Sequence, residues 1–258
     1  MRKGKIEKMQ KRYKELLITD EWKIARKARA EGELVVLCYP LSDTIAGNET
    51  ENADDVSLSD FPYAIENAEQ LDENYLEHIL CRFKGIPCHI LDTARCRVRE
   101  ITPADVDRLY EIYEGPGITD FMEPLFEKRE DEIAYTEDYI RCHYGFYDFG
   151  MWIVEEKESG IIIGRAGFDM REGYEEPELG FMIAADYQRK GYATEVCGAL
   201  LAYASKELGF ERVAAFTEDE NVASVQLLKK LGFSFRGEET VKTVKEDSLK
   251  LAYYLKIL

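Results

Sequence analysis

Histidine is scarce in this sequence, and the residue spacings that hold metal ions are missing. Only three histidines occur in 258 residues, and none forms an HxxxH or HExxH pair. The six cysteines are scattered along the chain without a CxxC pair. We therefore expect no metal site. We expect the cysteines to be reduced and buried as small hydrophobic residues, which suits a reducing compartment.

Positive charge is also in short supply. The chain has 34 Lys+Arg against 51 Asp+Glu, a formal net charge of -17. Such a charge repels phosphate backbones and anionic lipids, so nucleic acid and membrane surfaces are poor partners. No apolar run approaches about 20 residues, and the basic opening stretch lacks the apolar core of a secretory signal. We interpret that stretch as a solvated helix and expect a soluble, cytoplasmic protein.

The length allows two domains, since roughly 100–200 residues per domain are usual. We predict a small α/β (Rossmann-like) accessory domain at 1–95. In it, LLITD, EWKIARKARAEG and ELVVLCYP indicate strand, helix and strand, with Gly32 closing the helix. A polar loop over 41–60, a short strand in DFPYAIEN and an amphipathic helix closed by Gly85 follow. We interpret IPCHILDTAR as a connector, with the boundary near Arg95.

The second predicted domain, 96–258, has a different pattern. Thr102 is the expected N-cap of its first helix, with Pro103 at the first helical position. A second helix is expected over EDEIAYTEDYIRCHY, then a meander of three antiparallel strands with a turn at Gly160. The remaining order is helix, strand, helix and two strands. The whole domain is therefore predicted to run β-α-α-β-β-β-α-β-α-β-β.

One segment of this domain, YQRKGYATE, carries the chemistry because it joins a strand to a long helix. Backbone N–H groups at a helix N-terminus are unpaired, and the helix dipole adds about half a positive charge there. Gly191 and Ala193 let an anion approach the backbone, Thr194 adds a hydroxyl donor, and Arg189 and Lys190 add positive charge. The junction is predicted to bind phosphate.

The order Gln188-x-x-Gly191-x-Ala193 resembles the pyrophosphate signature of the GNAT superfamily of N-acetyltransferases. ELGF on the preceding strand, and NVAS leading to LGF further on, agree with that family in order and spacing. The resemblance covers roughly Cys96 to Leu258 and favours the branch with the ribosomal-protein N-terminal acetyltransferases. It implies the GNAT fold, a mixed, mostly antiparallel sheet flanked by helices, and transfer of acetyl from acetyl-CoA to a primary amine.

The resemblance also implies where the coenzyme lies. In the family, a bulged strand splays from its neighbour, and the pantetheine arm of coenzyme A lies in the gap beside the equivalents of Met182 and Ile183. Asn221 is also a natural N-cap for the helix that follows it. The coenzyme-binding candidates are Met182, Ile183, Gln188, Arg189, Lys190, Gly191, Tyr192, Ala193, Thr194 and Asn221.

Two residues are candidates for catalysis. An alkylamine with a pKa of about 10.4 must lose a proton before it attacks the thioester, so a base is required. The resemblance assigns that role to Glu178, although an idle exposed carboxylate is the alternative. Many members use a tyrosine to protonate the leaving thiolate, but this chain has Leu228 there. Ser224 is the substitute donor, unless its hydroxyl is idle.

The aromatic segment, the lid candidates and the N-terminal part do not identify the acceptor or exclude a second function. Most of the aromatic residues in HYGFYDFGMW are expected to be core, and Met122 and Glu123 are candidates for a lid over the acceptor. The N-terminal part resembles half of a haloacid-dehalogenase-like unit without the Asp-x-Asp nucleophile motif, so we assign it no phosphatase chemistry. The sequence leaves the acceptor open between a protein N-terminus and a small amine such as an antibiotic or a polyamine. A non-catalytic acyl-CoA sensor is the alternative function.

Overall fold

The structure, a computed structural model, describes residues 2–38, 61, 63–65, 71–242 and 248–258. The polar loop predicted at 41–60 lies outside the described residues. Contacts divide the chain into two units. The first comprises Met1–Cys88 with Asp138–Asp148, and the second comprises His89–Glu137 with Phe149–Leu258. No described helix is both long and apolar enough to cross a bilayer.

The first unit contains a three-stranded parallel sheet in the order β1-β2-β3. Its strands and helices are α1 (Arg2–Arg12), β1 (Leu17–Thr19), α2 (Trp22–Ala30), β2 (Val35–Cys38), β3 (Ala64–Ile65) and α3 (Glu73–Phe83). The predicted strand, helix and strand are present, and Gly32 ends α2 at a φ of +82° that favours glycine. Whether this unit folds alone, and its haloacid-dehalogenase likeness, stay predictions.

The segment Asp138–Asp148 groups with the first unit rather than with the helix it extends. The predicted single helix is a regular helix, α5 (Arg129–Asp138), followed by a π-helical stretch, Tyr139–Tyr144, and a short α6, Gly145–Tyr147. Asp148 follows with a positive φ of 57°. Its carboxylate accepts a hydrogen bond from His78 and pairs with Arg82 at 2.7 Å, both on α3. These bonds tie the segment to the first unit.

The second unit is built on an eight-stranded sheet in the order β10-β11-β9-β8-β7-β6-β5-β4. Its strands are β4 (His89–Asp92), β5 (Cys96–Arg99), β6 (Met151–Glu156), β7 (Ile162–Asp169), β8 (Glu178–Ile183), β9 (Arg212–Thr217), β10 (Ser234–Lys242) and β11 (Ser248–Ile257). Its other helices are α4 (Val106–Tyr113), α7 (Tyr192–Lys206) and α8 (Val222–Lys230). All neighbouring strands run antiparallel except β8 and β9. The predicted order of elements from β5 onward is confirmed.

The stretch predicted as a connector, IPCHILDTAR, contains the edge strand β4 at His89–Asp92. His89–Asp92 pairs antiparallel with β5 through a tight turn at Thr93. A four-residue strand at a sheet edge buries little, and here only Ile90 is fully buried, so no alternating pattern marks it in the sequence. The contacts end the first unit at Cys88, and the boundary expected at Arg95 falls inside this hairpin.

The start of α4 follows the predicted capping pattern. Thr102 and Asp105 form a capping box, with Pro103 at the first position of a 3₁₀ turn that leads into the helix. Arg99 on β5 makes two hydrogen bonds to the buried Asp105 carboxylate, at 2.7 and 2.8 Å. Burial alone would raise the pKa of Asp105, but the bonds from Arg99 and Thr102 lower it. This pair fixes the helix to the sheet.

The aromatic residues predicted as core divide into two groups. Trp152, Tyr144 and Phe149 are buried, and in the second unit Trp152 packs edge-on against Phe168. Phe146 and Tyr147 are exposed instead, with 80% of Phe146 accessible. A run of aromatic letters therefore did not reveal which rings face water.

Candidate active site

The sheet of the second unit opens between β8 and β9. Strand β8 pairs with β7 at every residue from Glu178 to Ile183. With β9 it pairs at one position only, Glu178 opposite Ala214, and these two described strands share no further register pair. The gap is closed at Glu178 and widens toward Ile183. Backbone groups on the open edge of β8 are therefore available to an extended ligand.

The predicted phosphate-binding loop lies beyond the open end of this gap. Gln188 is fixed by a hydrogen bond from its side-chain amide to the Ile183 carbonyl at 2.9 Å. Arg189 and Gly191 both have positive φ, 58° and 86°, and Gly191 is the N-cap of α7. Two left-handed residues so close together turn the chain sharply. Successive N–H groups at such a turn form a concave anion-binding nest.

Side chains around the loop are already engaged with one another. The Tyr192 hydroxyl donates to Glu156, and this bond raises the pKa of the phenol to about 12. The Lys190 ammonium lies 5.3 Å from the centre of the Tyr187 ring. The direct contact expected between Lys190 and the anion stays a prediction.

A cavity of about 460 Å³ joins the open edge of β8, the loop and the start of α8. It is lined by Ser224 and by all the coenzyme-binding candidates except Lys190. Sequence reasoning missed the other wall residues, apart from the lid candidate Met122: Gly117, Ile118, Phe121, Phe181, Tyr187, Ala223, Gln226, Leu227 and Lys230. Glu123, the other lid candidate, is not among the lining residues. Apolar side chains supply much of this wall, which suits a ligand with a long flexible arm.

Asn221 is the expected N-cap of α8 and is also a candidate for binding the coenzyme. Its side-chain oxygen accepts a hydrogen bond from the Ser224 amide at 3.1 Å, so the expected helix cap is present. Ser224 lies in the first turn of α8 and lines the cavity. The cap therefore fixes the start of the helix that carries Ser224.

Glu178 faces a second cavity, of about 490 Å³. It lies 2.6 Å from Arg171 in an ion pair. Burial raises the pKa of Glu178, against the opposing effect of Arg171. The cavity is also lined by Asp169, Met170, Glu172, Tyr174, Thr240 and Val241. Glu178 and Ser224 therefore line different cavities, and Glu178 stands at the closed end of the β8–β9 gap.

An aromatic cluster beside the second cavity was not found from the sequence. Phe216 on β9 stacks on Tyr253 of β11, with ring centres 5.1 Å apart. Tyr174 packs edge-on against Phe216, and the Arg171 guanidinium lies 4.9 Å from the same ring. These residues come from strands and a loop far apart in sequence. Only the pairing of β9 with β11 brings them together.

Known proteins resemble this chain in the same region. The sequence model of the family described as Acetyltransferase (GNAT) domain matches residues 95–234, more than half of the chain. The uncharacterized N-acetyltransferase YnaD of Bacillus subtilis is 33% identical over 147 residues, which cover 57% of this chain and 84% of the relative.

Solved structures show the same likeness. A GNAT-family acetyltransferase from Bacillus anthracis has a TM-score of 0.55 at 22% identity, covering 66% of this chain and 98% of that one. RimL, a ribosomal alpha-N-protein acetyltransferase solved in complex with coenzyme A, has a TM-score of 0.56 at 14% identity with the same two coverages. At 22% and 14% identity, the likeness of these two structures to this chain shows a shared fold alone.

Proposed function

Since this chain belongs to the GNAT acetyltransferase family and is an acyltransferase, we propose that it transfers an acetyl group from acetyl-CoA to a primary amine. The acceptor amine belongs to a protein N-terminus or to a small molecule. The observation that carries the proposal is the opening of the sheet at Glu178, with an anion-binding loop at its wide end.

The coenzyme runs along the first cavity in this proposal. Its diphosphate lies on the amides from Arg189 to Thr194, at the N-terminus of a 15-residue helix. Its pantetheine arm follows the open edge of β8 beside Met182 and Ile183, where backbone groups replace the partner strand. Asn221 and Ser224 bound the arm on the α8 side. The thioester then reaches the closed end of the gap.

The second cavity holds the acceptor in this proposal. Asp169, Glu172 and Glu178 outnumber the single Arg171 among its charged walls, so the site favours a cationic amine. The raised pKa of Glu178 makes its carboxylate a stronger base than an exposed glutamate. It accepts the ammonium proton, and the neutral nitrogen attacks the thioester carbonyl. Coenzyme A leaves as a thiolate that takes the proton of the Ser224 hydroxyl, and the second proton lost by the attacking nitrogen restores that hydroxyl.

RimL supports a protein N-terminus as one class of acceptor, because its name states that it acts on a ribosomal protein. A volume of about 490 Å³ also suits a small amine or the first residues of a peptide. The family match begins at Arg95, so most of the first unit lies outside it. We assign that unit an accessory role, either packing on the transferase or recognising a partner.

The base is tested by Glu178→Gln, which keeps the shape of the side chain and removes its basicity. We expect turnover to fall by roughly 10²–10⁴-fold, the usual scale for loss of a general base, with coenzyme affinity near wild type. Glu172→Gln is the matched control, since it removes the same charge from the same cavity; it should raise the KM for a cationic amine and change kcat little.

The pH dependence gives a second readout of the same variant. With Glu178 as base, the wild-type rate rises with pH as the carboxylate loses its proton, at a pKa above that of an exposed glutamate. Glu178→Gln should lose this limb while Glu172→Gln keeps it. An unaltered profile in Glu178→Gln would assign the base to another group.

A further inference from the structure

Arg95, at the turn between β4 and β5, contacts both the predicted phosphate-binding loop and the first turn of α7. We propose that Arg95 is a positioning residue that aims the Gly191 amide at the diphosphate of coenzyme A. The inference rests on the proposed function, because it assumes that the loop binds this coenzyme. It adds to the site a residue outside the loop and its helix.

Three contacts fix the Arg95 guanidinium against the loop and the first turn of α7. Its Nε donates to Glu195 at 2.7 Å, and its Nη1 donates to the Lys190 carbonyl at 3.1 Å. Its Cζ lies 4.0 Å from the centre of the Tyr192 ring, so the two planar groups are in contact. Arginine suits this role because its planar fork binds several partners at once.

The bond to Lys190 determines where the next amide points. In a trans peptide the C=O and the following N–H point in opposite directions. The Lys190 carbonyl is directed at Arg95, so the Gly191 N–H of the same peptide unit is directed away from Arg95. Gly191 lines the coenzyme cavity. Without Arg95 this peptide unit can rotate, since glycine resists rotation least.

Charge gives Arg95 a second effect on the loop. Glu195 lies in the first turn of α7, near the place proposed for the diphosphate, and its carboxylate would repel that anion. Arg95 binds this carboxylate through its side chain and also through its backbone amide at 2.8 Å. The Thr93 hydroxyl adds a third bond at 2.7 Å. Arg95 thus offsets the one acidic residue of that turn.

The turn that carries Arg95 is itself well supported. The Thr93 amide donates to the Cys96 carbonyl at 2.8 Å, and the Cys96 amide donates to the Thr93 hydroxyl at 2.9 Å. The Lys157 ammonium donates to the Thr93 carbonyl at 2.6 Å. These hydrogen bonds restrain the turn, so Arg95 extends from a well-supported backbone toward the loop.

The test compares Arg95→Ala with Arg97→Ala, which removes the same charge from an exposed position two residues further along, on β5. Coenzyme A affinity is measured by calorimetry, and kcat/KM is measured with acetyl-CoA and with S-acetylpantetheine, which lacks the diphosphate. We expect Arg95→Ala to weaken coenzyme A binding by roughly 10–100-fold, the range of one hydrogen bond to a charged group. Arg97→Ala should change nothing. Both variants should match wild type with S-acetylpantetheine.

Glu195→Ala separates positioning from charge by the sign of its effect. Loss of a negative charge alone would tighten coenzyme A binding, whereas loss of the partner that holds Arg95 should weaken it. Tighter binding in Glu195→Ala, unchanged binding in Arg95→Ala, or an equal loss with S-acetylpantetheine would overturn the inference. Absence of coenzyme A binding by the wild-type protein would instead overturn the proposed function.

Discussion

Replacing Gly191 by glutamate tests the coenzyme site with a built-in control. Gly191 begins α7 at a φ of +86°, and Gly209, just past the other end of the helix, has a φ of +69°. An L residue in this region costs about 1–2 kcal/mol at either place. Neither side chain meets a clash, since the nearest atom to a Cβ at Gly191 is Arg95 Nη2 at 3.5 Å, and none lies within 4 Å at Gly209. Gly191→Glu and Gly209→Glu should therefore destabilise the protein equally.

Their effects on coenzyme binding should differ because of distance. A carboxylate roughly 7 Å from a diphosphate charge costs about 2.4 kcal/mol at an effective dielectric constant of 20, which is about a 50-fold loss of affinity. A carboxylate that pairs with Arg95 instead would neutralise that cation, which also weakens binding. Gly209 lies roughly 20 Å away along the helix, beyond the Debye length of about 8 Å in physiological salt, so no loss is expected there.

The assay is calorimetric titration of each variant with coenzyme A, together with its thermal unfolding. The predicted result is equal melting temperatures and an affinity loss confined to Gly191→Glu. A folded Gly191→Glu protein that binds coenzyme A as tightly as Gly209→Glu would refute the assignment of the loop.

Four further predictions follow from the same contacts. Ser224→Ala should lower turnover and change its dependence on the pKa of the leaving thiol, measured over a series of acetyl thioesters; an unchanged dependence would leave the hydroxyl idle. Arg99→Ala should lower the free energy of unfolding in urea by about 3–5 kcal/mol, because the buried Asp105 carboxylate loses its ion-pair partner. Arg97→Ala should change the free energy of unfolding by no more than about 0.5 kcal/mol. The pKa of Asp105 is lowered in the folded protein, so its carboxylate stabilises the fold above the unfolded pKa of about 4. This stabilisation is lost as the pH falls through the folded pKa. In Asp105→Asn, the free energy of unfolding should no longer show this fall at acid pH. A chain that begins at His89 should keep coenzyme binding, and an unfolded product would mean that the second unit depends on residues 1–88, which hold the segment Asp138–Asp148.

The turn at the start of α7 could be predicted because its signal is local. A glycine three residues after Gln188, followed by a helix, indicates the turn within a few positions, and its role as an anion site stays a prediction. The Asn221 cap also has a local signal, which depends only on the next three residues.

The remaining features depend on contacts between distant parts of the chain. The opening beside Glu178 arises from the single register pair between β8 and β9, which no local pattern encodes. The short β4 buries too little to show a period, and the wall formed by Phe216 and Tyr253 comes from two separate strands. Arg171 lies only seven residues from Glu178, yet the ion pair needs the turn between β7 and β8 to bring them together.

The most direct test of the central claim is release of thiol from acetyl-CoA by the intact protein over a panel of amines. The panel contains peptides with unblocked N-termini, diamines and the matched N-acetylated form of each. The masses of the products are measured by mass spectrometry. The account predicts thiol release that depends on an unblocked amine, with one acetyl group of about 42 Da gained per thiol and a loss of roughly 10²-fold or more in Glu178→Gln. Coenzyme A binding without turnover on any amine would contradict it and favour an acyl-CoA sensor.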